Sequence, residues 1–214
     1  MKVIIEYIWL GGNNELRSKT RVLDHTGVIA SEEGENRLEV ASETTKTEFI
    51  NVPHWNYDGS STGQATGEDS EVILVPVAIY RDPFIGESNS YLVFCETQRP
   101  DGTPLENNHR PWAKAIFDKT LEQEPWYGIE QEYFITNLKT GLPVAFPNHH
   151  NVTLPPQGQY YCSVGTGNIW YREIAQEHLY LCIKAGLTIS GMNAEVAPSQ
   201  WEYQIGPCVG ISAG

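Results

Sequence analysis

The segment 125–135, Pro-Trp-Tyr-Gly-Ile-Glu-Gln-Glu-Tyr-Phe-Ile, constrains the fold more than any other part of the chain. Its aromatic and β-branched residues predict a β-strand, in which successive side chains point to opposite faces. Glu130 and Glu132 therefore share one face of a largely apolar strand. Two neighbouring anions repel each other, so the pair requires an open face, a bound proton or a cation between them. A hard divalent metal fits the third case, because carboxylate oxygens are its preferred ligands.

Composition bounds the class of protein. The chain has 214 residues, of which 40% are hydrophobic and 19% are charged, which allows a real core and one or two domains. The net charge of −13, with no basic stripe, argues against a nucleic-acid partner. Much of the acidic excess lies in the Glu-rich segment 31–48, which predicts a solvated loop or an edge strand.

The cysteines and the first residues indicate the compartment. Cys95, Cys162, Cys182 and Cys208 include no Cys-x-x-Cys pair, so we expect buried free thiols in a reducing environment. Residues 1–10 are too few and too strand-like for a signal peptide. No apolar run approaches the roughly 20 residues that a membrane helix needs. We therefore expect a cytoplasmic chain without a membrane partner.

The first hundred residues carry mainly strand patterns. We predict strands at 3–10, 17–23, 38–45, 71–80 and 91–96, and a glycine-containing loop at 56–69. Pro76 predicts an edge strand or a bulge in its segment. The turn-rich segment 99–104 is the predicted domain boundary.

The second half alternates helix and strand patterns, so the fold class is predicted to be α+β. One helix is expected to begin near Pro111 and another to span 169–185, with strands at 126–135, 187–196 and 201–205. The apolar face of the second helix is predicted from its spacing to be Ile174, His178, Leu181, Cys182 and Ala185. A histidine on such a face is more often a hydrogen-bonded core residue than a metal ligand.

Further acidic residues join the opening pair. Glu195 ends one predicted strand, and Glu202 shares a face with Gln204 in the next. The four glutamates could converge on one or two divalent metals, or each could be an exposed position on a half-buried strand. Asp58 lies in the glycine-containing loop, where Asp-Gly also favours a plain turn.

Ten segments, in one order along nearly the whole chain, resemble class II (eukaryotic-type) glutamine synthetase. They are Glu6-Tyr-Ile-Trp, Leu16-Arg-Ser-Lys-Thr-Arg21, Trp55-Asn-Tyr-Asp-Gly-Ser-Ser-Thr62, Asp69-Ser-Glu-Val72, Arg81-Asp-Pro-Phe84, Trp126-Tyr-Gly-Ile-Glu-Gln-Glu-Tyr133, Pro156-Gln-Gly158, Tyr160-Tyr-Cys162, Asn193-Ala-Glu-Val196 and Gln200-Trp-Glu-Tyr-Gln-Ile-Gly-Pro207. So many motifs in one order make chance similarity implausible.

The resemblance implies a fold and an activity. It implies a β-grasp domain over residues 1–100, followed by the first part of a β-rich, split-barrel catalytic domain over residues 101–214. The implied reaction is the ligation of ammonia to the side-chain carboxylate of L-glutamate, with ATP as a substrate and γ-glutamyl phosphate as the intermediate. The implied cofactor is Mg²⁺ or Mn²⁺, and the implied assembly of the full-length protein is a homo-oligomeric ring.

The resemblance also assigns site residues. Glu132, Glu195 and Glu202 match the ligands of a first metal, and Glu130 matches a ligand of a second metal beside the transferred phosphoryl group. The nucleotide-binding residues implied are Glu130, Glu202, Tyr203, Gln204, Ile205, Gly206 and Pro207. Asp58 matches the carboxylate that binds and helps to deprotonate ammonium, with Ser61 nearby. In the family this loop completes the site of a neighbouring subunit.

The chain also departs from the family pattern. The other second-metal ligands and the arginines that bind phosphate and glutamate are expected after Gly214, so we expect negligible ligase activity from these residues alone. An alternative is a non-catalytic, truncated relative that binds or modulates full-length rings. Residues 148–154 resemble an insertion, and 24–50 is longer than usual and Glu-rich.

Overall fold

The computed structural model describes residues 2–24, 36–41, 48–86, 89–146 and 156–214. The chain forms two compact units, the first made of residues 1–120 with 184–187 and the second of 121–183 with 188–214. The predicted insertion at 148–154 lies outside the described residues. So does the Glu-rich segment, apart from 36–41 and 48.

The described residues of the first unit form a seven-stranded sheet and one α-helix. The strands are β1 (Lys2–Leu10), β2 (Leu16–Asp24), β3 (Arg37–Ala41), β4 (Phe49–Asn51), β5 (Trp55–Asp58), β6 (Glu71–Arg81) and β7 (Ser90–Gln98), and the helix is α1 (Arg110–Thr120). The strand order is β2-β1-β7-β6-β3-β4, with β5 also paired to β6. Strands β1 and β7 run parallel, whereas β1–β2 and β6–β7 are antiparallel pairs.

Alternation along the strands builds the core of this unit. Every second residue of β1, from Val3 to Trp9, is buried, as period-two patterning requires for a sheet with one covered face. The buried cluster is Val3, Ile5, Tyr7, Trp9, Val40, Ile50, Val52, Leu74, Ile79, Tyr91, Val93 and Cys95. The first unit therefore has a continuous apolar core.

One detail of this sheet differs from the sequence-based expectation, and a second decides between two predicted alternatives. Strand β5 occupies the start of the segment predicted as a loop, and it pairs with β6 from Trp55 opposite Leu74 to Asp58 opposite Glu71. Strand β6 is flanked by β7 and β3, so of the two alternatives predicted from Pro76 the bulge is confirmed and the edge strand is not. Its register with β7 shifts between Pro76 and Ala78, and this bulge accommodates a residue that cannot donate to the ladder.

The second unit contains a smaller antiparallel sheet of order β8-β10-β9. Its strands are β8 (Trp126–Phe134), β9 (Ile189–Ala194) and β10 (Gln200–Val209), and helix α2 (Arg172–Ala185) belongs to it as far as Ile183. Ala175, Ala194 and Trp201 form the buried cluster. Its partly buried neighbours are Tyr133, Ile135, Ile169 and Met192.

Helix α2 begins three residues later than predicted, at Arg172, and Cys182 and Ala185 of its predicted apolar face are buried. Ile174 is 45% exposed, whereas Ala175 is buried, so the predicted face was wrong at that position. His178 lies beside the rings of Tyr133 and Tyr203, with Nε2 3.5 Å from Sγ of Cys182. Burial lowers the pKa of His178, which agrees with the predicted core role.

The described residues thus form a mixed α+β, strand-rich protein with two α-helices. None of the described helices combines the length and apolarity needed to cross a membrane. All four cysteines are free. Cys162 is exposed, which corrects the expectation that every thiol is buried, because it lies in a turn outside the two sheets.

Candidate metal site and adjoining pocket

The register of the smaller sheet places acidic and amide side chains on one face. Glu132 lies opposite Glu202, and Glu130 lies opposite Gln204. Directly paired residues of an antiparallel sheet point to the same face, so these four side chains share one surface. The opposite surface carries Trp201, which packs in the core. The predicted separation of faces in β8 and β10 is therefore confirmed by the pairing.

Three carboxylates converge on this surface. One oxygen from each of Glu132, Glu195 and Glu202 lies within 4.8 Å of the other two. Glu195 reaches the group from the residue directly after β9, while the other two face each other across β8 and β10. Glu195 and Glu202 are each 8% exposed, and Glu132 is exposed. Glu130 lies on the same face but outside this group of three.

Side-chain amides hold the three carboxylates. Gln200 Nε2 donates to Oε2 of Glu132 at 2.6 Å. Asn193 Nδ2 donates to Oε1 of Glu195 at 3.0 Å, and Gln204 Nε2 donates to Oε1 of Glu202 at 2.6 Å. The backbone N–H of Val196 supplies a further bond to Glu195 at 3.0 Å. These donors satisfy carboxylate oxygens without adding positive charge.

The pKa values of the buried pair move apart. Burial raises the pKa of Glu195, and the neighbouring Glu202 adds to the shift. The hydrogen bond from Gln204 lowers the pKa of Glu202. The pKa of Tyr161 is raised, first by the adjacent Cys162 and then by the charges of the two glutamates. A region of concentrated negative charge thus surrounds the three carboxylates.

The donor set fits a hard divalent cation. All three candidate ligands are carboxylates, which Mg²⁺ and Mn²⁺ prefer over nitrogen or sulfur ligands. Within the described residues, no Lys, Arg or His forms an ion pair with Glu132, Glu195 or Glu202. The amides orient the oxygens but leave their charge uncompensated, and a divalent cation would compensate it.

A pocket of about 420 Å³ adjoins the same strands. Its lining includes Glu130, Gln204, Ile205, Gly206 and Pro207 among the predicted nucleotide-binding residues, and Gly128, Ile129 and Ser190 besides. Of the remaining predicted residues, Glu202 belongs to the carboxylate group. Tyr203 lies beside His178 on the other face.

A bulge in β10 shapes this pocket. The register with β8 shifts between Ile205 and Cys208, which takes Gly206 and Pro207 out of the ladder. Gly206 has φ of 100°, and a Cβ there would lie 2.7 Å from the carbonyl oxygen of Tyr127. Only glycine fits this backbone position.

Asp58 and Ser61, the other predicted catalytic residues, belong to the first unit. Asp58 ends β5 and caps the 3₁₀ turn Gly59–Thr62. Its Oδ1 accepts hydrogen bonds from the Ser60 backbone N–H at 3.0 Å and from Ser60 Oγ at 2.6 Å. Ser61 Oγ lies 3.4 Å from Oδ2. The Ser60 hydroxyl contributes most to lowering the pKa of Asp58, so this exposed carboxylate is ionised at neutral pH.

The amide partners of the carboxylates were not predicted as a group. Gln204 was predicted only as a nucleotide contact, and Asn193 and Gln200 had no assigned role. The period of two was the available signal, because Gln200 precedes Glu202 by two residues and Asn193 precedes Glu195 by two. The pairing of Gln204 with Asn193 across strands needs the register, which the sequence does not state.

The described fold and surface define an α+β protein with a three-carboxylate site suited to a divalent metal. No family model matches the chain. A chloroplastic glutamine synthetase of Brassica napus is 48% identical over 216 residues, covering the whole of this chain and 45% of the relative. One from Arabidopsis thaliana, named as chloroplastic and mitochondrial, is 49% identical over 221 residues and is covered to 45%. A cytosolic isozyme of Chlamydomonas reinhardtii is 44% identical over 224 residues and is covered to 53%.

The chain belongs to the glutamine synthetase family. It spans about half the length of the curated relatives that it matches.

Proposed function

We propose that the whole protein to which this chain belongs ligates ammonia to the side-chain carboxylate of L-glutamate at the expense of ATP, as a glutamate–ammonia ligase. The convergence of Glu132, Glu195 and Glu202 carries the proposal. Identity of 44–49% to proteins named glutamine synthetase, over the whole chain, supports it. ATP would phosphorylate the glutamate side chain, and ammonia would displace phosphate from the resulting γ-glutamyl phosphate.

In this proposal Glu132, Glu195 and Glu202 hold a first Mg²⁺ or Mn²⁺, and Glu130 contributes to a second. When bound, such ions compensate the negative charge of phosphate and carboxylate groups. The role of the three glutamates is to present carboxylate oxygens to the ion. The buried pair Glu195 and Glu202 presents fixed oxygens, while the exposed Glu132 closes the group from β8.

The pocket beside Glu130 is the proposed nucleotide site. Its volume of about 420 Å³ is within the range of small-molecule sites. Gly206 and Pro207, displaced by the bulge, leave this part of the surface concave. The proposed nucleotide-contacting segment also includes Glu202 and Tyr203, which precede Gln204 and Ile205 of the pocket lining.

Asp58 is the proposed ammonium-binding residue. An ionised carboxylate attracts the ammonium cation and then accepts a proton, which leaves neutral ammonia as the nucleophile. The lowered pKa of Asp58 supports the first step, because the group is charged at neutral pH. Ser60 and Ser61 fix the carboxylate by hydrogen bonds to its two oxygens.

The same proposal assigns a β-grasp domain to residues 1–100 and the start of a split-barrel catalytic domain to residues 101–214. It includes a homo-oligomeric ring for the whole protein. A cytoplasmic location is proposed because all four cysteines are free thiols, as is usual in reducing compartments.

Calorimetry with Mn²⁺ tests the metal site on the chain itself. The wild-type chain is expected to bind Mn²⁺, and the double variant Glu132→Ala plus Glu195→Ala is expected to lose binding. The control is Glu173→Ala, on the exposed side of α2 and outside the carboxylate group. Absence of binding to the wild type, or binding unchanged in the double variant, would refute the assignment.

Glutamine formation by the whole protein tests the role of Asp58. Asp58→Asn is expected to lower kcat/KM for ammonium by about 10²–10⁴-fold, because it removes both the charge and the proton acceptor. Asp118→Asn, on the exposed surface of α1, is the control. A value for Asp58→Asn equal to that of the control would exclude the proposed role.

A further inference from the structure

The amides around the carboxylates form a relay, by which we mean a continuous chain of hydrogen bonds from Glu202 to Glu195. Gln204 Nε2 donates to Oε1 of Glu202 at 2.6 Å and also to Oδ1 of Asn193 at 2.7 Å. Asn193 Nδ2 donates in turn to Oε1 of Glu195 at 3.0 Å. The order is therefore Glu202, Gln204, Asn193 and Glu195, with each of the two amides bound to one carboxylate and to the other amide.

The backbone makes room for this relay. Gly191 lies opposite Gln204 in the β9–β10 pair. A Cβ at Gly191 would lie 2.8 Å from Oε1 of Gln204, closer than real Cβ contacts come. Glycine at this position therefore allows the Gln204 side chain to adopt the orientation in which it reaches both partners. The backbone φ of Gly191 does not itself require glycine. The need for glycine comes from the space that the Gln204 side chain occupies.

Two neighbouring carboxylates repel each other, and without fixed donors they would turn apart. An ammonium or guanidinium group could hold them, but its positive charge would neutralise the carboxylate charge that attracts a metal ion. Amides hold the oxygens by hydrogen bonds and remain neutral. Residues that orient metal ligands in this way typically change metal affinity by about 10–100-fold when they are altered.

We propose that Asn193 and Gln204 are positioning residues that fix Glu195 and Glu202 for a divalent metal, and that Gly191 is required to seat Gln204. The inference rests on the proposed metal site. It assigns the site's geometry to three residues that are not themselves ligands. Their effect is to favour Mg²⁺, which demands near-ideal octahedral geometry, over Ca²⁺, which tolerates irregular geometry.

The first test replaces the Gln204 amide by an apolar group of similar size. Gln204→Met is expected to weaken Mg²⁺ and Mn²⁺ binding by about 10–100-fold in calorimetry. Ca²⁺ binding should weaken less, so the ratio of Mg²⁺ to Ca²⁺ affinity falls. The matched control is Gln176→Met on α2, at a glutamine outside the carboxylate group.

The second test moves Gln204 without changing any polar group. Gly191→Ala is expected to lower Mg²⁺ affinity while thermal stability stays near that of the wild type, because the group displaced is the end of a flexible side chain. Gln204→Lys separates geometry from charge. It keeps a donor near Glu202 but adds a cation, so all divalent binding should be lost.

A double-mutant cycle tests the connection itself. The combined loss of Mg²⁺ affinity in Asn193→Ala plus Gln204→Met should be smaller than the product of the single losses, because both act through one relay. Wild-type affinities and Mg²⁺ to Ca²⁺ ratios in Gln204→Met and Gly191→Ala would overturn this inference while leaving the three-carboxylate site intact. Failure of the wild type to bind metal would overturn the site as well.

Discussion

The two units of the chain use their sheets differently. In the described part of the first unit, one face of seven strands is covered by a core of twelve buried residues. Among its described residues, the second unit has three strands and a buried core cluster of Ala175, Ala194 and Trp201. Strand β8 illustrates the contrast, since eight of its nine residues are exposed, among them Trp126 at 68% and Phe134 at 42%.

This difference shows where stability and chemistry reside. The first unit gains its free energy of folding from apolar burial, which scales with area and does not depend on a ligand. The second unit places buried carboxylates on a thin sheet, which costs free energy unless a cation compensates them. We therefore expect the first unit to respond to core mutations and the second to metal.

The largest expected effect is a cavity in the first unit. Leu74 is fully buried in β6, so Leu74→Ala should reduce the free energy of unfolding of this unit by about 2–5 kcal/mol. Leu16→Ala, at a residue that is 71% exposed, should change it by no more than about 0.5 kcal/mol. Urea titration followed by hydrogen exchange of β1 and β7 measures both, and equal effects would contradict the assigned core.

Metal should act on the second unit. At a free Mn²⁺ concentration of 100 times Kd, we expect stabilisation by about 2.7 kcal/mol. Hydrogen–deuterium exchange should slow in β8 and β10 and stay unchanged in β1 and β7. The Glu132→Ala plus Glu195→Ala chain serves as the control and should show no slowing. Slowing of exchange in the first unit alone would contradict the expectation that metal stabilises the second unit.

Alkaline pH should act on the first unit through buried tyrosine. Burial raises the pKa of Tyr7 from its ordinary value of 10.0 to about 12. Between these values the unfolded chain has lost this proton and the folded chain has not, so rising pH favours unfolding. The free energy of unfolding should fall by about 1.4 kcal/mol per pH unit from this group, and the stabilisation is fully present below pH 10.

Tyr7→Phe should reduce that slope, although it also removes the hydrogen bond from the Tyr7 hydroxyl to the Pro53 carbonyl oxygen at 2.8 Å. Tyr180→Phe, at an exposed position of α2, is the control and should leave the slope unchanged. Tyrosinate absorbance and denaturant titrations across this pH range provide the measurement. A slope independent of Tyr7 would argue against its burial.

The last prediction concerns thiol reactivity, and its substitutions should have the smallest effect on the free energy of unfolding. Burial raises the pKa of Cys95 in the first unit to about 12, so little thiolate is present at neutral pH. Cys162 in the second unit is exposed and should react first with a thiol reagent. Cys162→Ser should remove the fast phase, whereas Cys95→Ser should not. A fast phase that survives Cys162→Ser would show that another thiol is accessible.

The sequence predicted the long elements well where one pattern dominated. Strand β1 alternates cleanly and was predicted within one residue of each end, and the opening pair of glutamates lies on the expected face. The short strands β4 and β5 were not predicted, because three or four residues give too little periodicity. Pairing with neighbouring strands, which is a tertiary effect, decides those segments.

The candidate site was predicted in part. Convergence of the four glutamates was one of two interpretations of the residues, and grouping Glu132, Glu195 and Glu202 depended on family resemblance. Nothing in their spacing states that β8 and β10 are neighbours. Ile174 shows a second limit of sequence patterns. Its helical spacing predicted burial, but it is exposed while Ala175 is buried. Spacing fixes which residues share a face, but only packing decides which face is covered.

Gln204 has one further consequence, because it contacts Glu202 and also lines the pocket. A pocket ligand that competes for its amide must change how firmly Glu202 is held. Affinities at the pocket and at the proposed metal site would then be linked, and the factor by which a pocket ligand alters metal binding would equal the factor by which metal alters binding of that ligand. An uncharged ligand such as adenosine, which has no phosphate to touch the metal, would report this reciprocity through the protein alone.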